Sequence, residues 1–88
     1  MKHLLMGQRV IVNAVAHPRY VDNNRKWIVE IIHERVGWYV GYTYKQEGKV
    51  RIDDFNYLEV SRRIKLARVK FSENSNDSFV FEENIKSL

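Results

Sequence analysis

Hydrophobic and polar positions along this chain repeat with a period of two, in short runs of β-branched and aromatic residues separated by polar or glycine-containing stretches. That rhythm belongs to antiparallel strands, because successive side chains on a strand point to opposite faces. "QRVIVNAV" (8–15) sets Val10, Val12 and Ala14 on one face and Arg9, Ile11, Asn13 and Val15 on the other. "AHPRYVDNN" follows with the only proline and an Asp-Asn-Asn cluster, and reads as a long loop. "RKWIVEIIHE" (25–34) reads as a strand covered on both sides, with Trp27 in the core. A tight turn at residues 35–37 is expected to reverse the chain into "GWYVGYTYK" (37–45). "QEG" (46–48) turns it again, with Gly48 supplying a positive φ.

The second half continues the pattern. "KVRI" (49–52) reads as a short strand, and "DDFNYLEV" mixes turn formers with large apolar residues. "RIKLARVKF" (63–71) places Ala67, Val69 and Phe71 on a covered face, with Arg68 and Lys70 on a basic outer face. "SENSNDS" is a polar loop, and "FVFEENI" closes the chain with a short strand and one turn of 3₁₀ helix. The prediction is an all-β domain, a small SH3-like barrel of five or six short antiparallel strands, since closure removes the exposed edges of so small a sheet. An OB-type barrel fits less well, because residues 51–63 show no helical stripe.

Eighty-eight residues, 44% hydrophobic and 30% charged, allow one core and one domain spanning residues 1–88. A chain of this size needs its aromatics for structure first. Within "GWYVGYTYK", Trp38, Val40 and Tyr42 are therefore expected to face inward, leaving Tyr39 and Thr43 on the other side and Tyr44 at the rim.

Charge changes the picture in one place. The net charge is only +4, but Arg62, Arg63, Lys65, Arg68 and Lys70 follow one another without an intervening acid. Beside Tyr39 and Tyr44 they form the candidate binding constellation: cations for phosphates or carboxylates, and aromatic faces for stacking. The competing reading is a solvated strand face that discourages edge-to-edge pairing.

Enzymatic signatures are missing from the sequence. There is no cysteine, which removes disulfides, thiolate metal sites and cysteine nucleophiles and fits a reducing compartment, so a cytoplasmic location is expected. His3, His17 and His33 are dispersed singly, Asp53 and Asp54 are adjacent, and no serine lies in a nucleophile elbow. The opening apolar run ends at Gly7, Gln8 and Arg9, short of a signal peptide or a membrane span. No catalytic residues, metal or other cofactor are expected, and no membrane partner.

The segments "KWIVEII", "GWYVGYTYKQEGKV", "KLARVKF" and "VFEENI" give a layout that resembles small SH3-like barrels encoded by bacteriophages and prophages. The aromatic-Pro-aromatic grouping of peptide-binding SH3 domains is not among them. The resemblance implies a fold and a viral origin. With the absent catalytic motifs, it leads to the expectation of a non-enzymatic module that binds a host or viral protein, self-association through an exposed strand being one variant. The alternative is a nucleic-acid-binding barrel that uses the basic run.

Overall fold

The computed structural model describes residues 3–21, 24–49 and 62–88. They form β1 (Arg9–Val21), β2 (Asn24–Lys49), β3 (Arg62–Lys70), β4 (Ser78–Val80), a 3₁₀ turn (Glu82–Asn84) and β5 (Ile85–Ser87). The described residues are all-β, with five antiparallel strands in one sheet. The expected strand in "KVRI" beyond Lys49, the segment "DDFNYLEV" and the carboxylates Asp53 and Asp54 lie outside the described residues.

β1 and β2 form a long hairpin, paired from Arg9↔Trp38 to Val21↔Asn24. The later part of β2 then pairs with β3, from Trp38↔Lys70 to Glu47↔Arg62. β3 pairs with β4, β4 meets β1 at Ala16↔Phe79, and β5 lies along the start of β1. The pairings thus lead from β1 through β2, β3 and β4 back to β1. A straight strand of 26 residues would run roughly 85 Å, yet the longest dimension is 47 Å, so β2 bends.

Three expected breaks are continuous strand. Residues 16–21 of the supposed loop belong to β1, with Pro18 opposite Trp27. Proline is tolerated in a strand where the ladder needs no N–H from it. The turn predicted at residues 35–37 is absent because β2 runs straight through it. Residues 46–48 also lie within β2, although Gly48 does take a positive φ of 139°.

Among the described residues, two apolar clusters hold the sheet. Val10, Val12, Tyr39, Ala67, Val69, Val80 and Ile85 form one, against which Leu4, Val15, Ile32 and Phe71 pack. Ala16, Trp27, Ile64 and Leu66 form the other, with Phe79 and Phe81 packed on it. Trp27 meets Phe79 edge to face at 5.6 Å, which confirms its place in the core. β3 contributes to both clusters through successive residues, Leu66 to one and Ala67 to the other. It is therefore covered on both faces, and has no uniformly basic outer side. Burial of a side chain such as Leu66 contributes about 1.5 to 3 kcal/mol. Among the described residues no charged or polar side chain is buried, and no helix is long and apolar enough to cross a membrane.

Candidate functional site

The site is set by an irregularity in β2. Its register with β3 shifts between Tyr39 and Gly41: Tyr39 pairs with Val69, Gly41 with Arg68 and Tyr42 with Ala67. Val40 is the extra residue of a β-bulge, and Gly41 adopts φ 135°, which an L side chain rarely takes. An extra residue reverses the alternation of faces. Tyr39, Tyr42 and Tyr44 consequently share one face of β2, with Lys65, Ala67 and Val69 of β3 beside them.

This corrects the expected orientation of the aromatic strand. Tyr39 is 8% exposed and belongs to the core, whereas Tyr42 is 53% exposed and Tyr44 is 49%. Trp38 and Val40 are half-buried rather than fully inward. Gly41 marks the bulge that puts Tyr42 and Tyr44 on the face of Tyr39, where regular alternation from Tyr39 would have placed them opposite it.

Tyr42 and Tyr44 meet edge to face, with ring centroids 5.7 Å apart. Lys65 Nζ lies 4.6 Å from the Tyr42 centroid, and Arg63 Cζ lies 4.8 Å from that of Tyr44. Both contacts are diagonal across the β2–β3 ladder, since Tyr44 is directly opposite Lys65 and Gln46 opposite Arg63. Two cation–tyrosine couples are thereby repeated along the strand.

Lys65 also pairs with Glu82 at 3.4 Å. The Glu82 charge raises the Lys65 ammonium above its usual range. Burial pushes the Tyr39 hydroxyl upward as well. Next to these groups is a groove of about 250 Å³ lined by His3, Leu4, Leu5, Tyr39, Tyr42, Lys65 and Glu82. Its N-terminal wall is tied down: Gly7 N–H donates to the Tyr39 carbonyl at 2.6 Å, and Tyr39 N–H donates to that of Gln8 at 2.9 Å.

The five-cation run is not one patch. Arg63 and Lys65 stand with the tyrosines, while Arg62, Arg68 and Lys70 occupy the alternate positions of β3. Arg62 Nε pairs with Glu47 at 3.2 Å, and Arg68 donates through Nε and an Nη to Asp77 Oδ2 at 2.8 and 2.6 Å. Arg68 and Lys70 line a separate open cleft of about 670 Å³ with Trp38, Val40, Glu73 and Asp77, where cations and carboxylates balance. Of the residues grouped from the sequence, the structure brings Arg63, Lys65 and Tyr44 together, and it adds Tyr42, Glu82 and Leu5 beside them.

The structure gathers no group of three or more His, Asp or Glu side chains suited to a metal ion among the described residues. His17 instead meets Glu30, at 2.6 Å, across the exposed face of the β1–β2 hairpin. Comparison with protein-family models, curated proteins and solved structures finds no match.

Proposed function

We propose that the chain is a non-enzymatic interaction module that binds a partner protein through the Tyr42–Tyr44 face, with Arg63 and Lys65 as its cations. The observation that carries this reading is the pair of half-exposed tyrosines, side by side, in a domain that already fills its two cores with other residues. Tyrosine offers a large contact area and a hydrogen-bonding hydroxyl at small entropic cost, and tyrosine and arginine are enriched at the energetic centres of protein interfaces. The resemblance to phage barrels extends the proposal to a phage-encoded protein acting on a host or viral protein in the host cytoplasm.

Nucleic acid is the weaker reading. Arg62, Lys65 and Arg68 already have carboxylate partners, and the run is divided between two faces. Even with Lys65 exchanging Glu82 for a phosphate, Arg63 and Lys65 together would give log affinity for duplex DNA a slope against log salt of only about −2.

Affinity capture with the wild type and with the Tyr42→Ala/Tyr44→Ala variant tests the proposal. It predicts a stoichiometric protein partner that the wild type retains and the folded double variant loses. Recovery of nucleic acid alone, or equal retention by both, would overturn it.

A further inference from the structure

We infer that the partner of this face presents an extended segment in which an apolar side chain and an Asp or Glu stand two residues apart, the apolar one seated in the groove beside Tyr42 and the carboxylate on Arg63. The inference rests on the proposed use of the Tyr42–Tyr44 face and names the chemistry that face selects.

The groove comes first. At about 250 Å³ it is smaller than the pockets of roughly 300 to 1,000 Å³ that enclose cofactors and drug-sized molecules. One side chain is the right scale. Its walls are apolar over Leu4, Leu5 and the rings of Tyr39 and Tyr42, and Leu5 leaves 72% of its surface to solvent. The hydrogen bonds of Gly7 and Gln8 with the Tyr39 backbone hold that wall against β2, so the seat exists before anything occupies it. Binding a preformed seat avoids part of the ordering cost of association.

Charge then sets the register. Glu82 lines the groove and pairs with Lys65, so a second carboxylate placed there would meet a like charge. Arg63 differs. Its guanidinium lies on Tyr44, and it has no ion pair among the described residues. A carboxylate therefore fits at Arg63 and an apolar group at the groove.

Spacing fixes the interval. Tyr42 and Tyr44, like Lys65 and Arg63, are separated by one i, i+2 step, which on a strand is about 7 Å. An extended partner segment has the same repeat. Its side chains two apart can reach the groove and Arg63 together, in either chain direction.

Selection from a display library of random linear peptides tests this against the wild type, Arg63→Glu, Leu5→Glu and Tyr42→Ala/Tyr44→Ala. The wild type should enrich an apolar residue with Asp or Glu two positions away. Arg63→Glu should replace that acid by Lys or Arg, and Leu5→Glu should lose the apolar requirement. In a selected peptide, Gln in place of the acid should weaken binding roughly fivefold, as for an exposed charge pair. Enrichment without an acid at that interval, or a charge preference unchanged in Arg63→Glu, overturns the inference. If no peptide is enriched while a protein partner that depends on Tyr42 and Tyr44 is still retained, the linear segment is wrong and the face stands. Equal selection by the double tyrosine variant overturns both.

Discussion

Tyr39 and Tyr42 stand on the same face of β2 although they are three residues apart, an interval that places side chains on opposite faces of a regular strand. Val40 takes up the extra position, and Gly41, opposite Arg68, accepts the backbone conformation this needs. The bulge joins a buried tyrosine that closes the core to two exposed ones that form the proposed interface.

Gly41→Ala should therefore destabilise the fold by about 1 to 3 kcal/mol, the usual cost of an L side chain forced into a sparsely populated φ. The steric space is not the cause, since an added Cβ would meet only an Arg68 Nη at 3.7 Å. Urea unfolding of the variant checks this, and an unchanged midpoint would show that the bulge does not depend on glycine.

Gly37→Ala should fail for a different reason. A Cβ there would come within 2.5 Å of the Lys70 carbonyl oxygen and 2.8 Å of a Val69 methyl, where the chain passes β3. Backbone cannot yield as a flexible side chain can, so a loss of about 1 to 3 kcal/mol is expected from overpacking. Thermal unfolding measures it.

The three tyrosines should separate in stability measurements. Tyr39→Ala removes a buried aromatic, with an expected cost of about 3 to 5 kcal/mol. Tyr42→Ala and Tyr44→Ala should each cost only about 1 to 2 kcal/mol, through loss of their mutual edge contact and of the Lys65 or Arg63 couple. Denaturant titration of the single variants gives the comparison.

Alkaline pH should weaken the fold. The ordinary tyrosine value is 10.0; above it an unfolded Tyr39 releases its proton while the folded residue, raised by burial, keeps it. Lys65 has the same sign from 10.5, because the folded ammonium retains its proton beside Glu82. Both contributions are complete below these values and decline as pH rises through the higher folded ones. The urea midpoint should fall above about pH 10, and Glu82→Gln should reduce the Lys65 share of that fall.

The Arg68–Asp77 pair ties β3 to the segment before β4 through two hydrogen bonds to one carboxylate oxygen. It is half exposed, so a double-mutant cycle with Arg68→Ala and Asp77→Ala should give a coupling on the order of 1 kcal/mol. High salt should diminish it.

Much of the fold was legible because alternation is a physical constraint on half-buried strands. Val10, Val12 and Ala14 share a buried face as expected, Trp27 is core, Ala67 and Val69 are buried, and the polar loop and closing 3₁₀ turn are present. What misled was punctuation. Pro18 and Gly37 resemble turn signals, yet one sits in a strand at a tolerated position and the other is packed beneath Lys70 and Phe71. The candidate site was legible in composition but not in orientation, because a one-residue bulge leaves the sequence rhythm almost untouched while exchanging the faces beyond it.

The most direct test is tyrosine accessibility in the free protein and in its complex with the captured partner, read residue by residue by photo-induced nuclear polarisation. Tyr42 and Tyr44 should respond in the free protein and fall silent in the complex, Tyr39 should be silent in both, and exposed Tyr20 should respond in both. A responsive Tyr39 in the free protein, or Tyr42 and Tyr44 responding equally with and without the partner, would contradict the account.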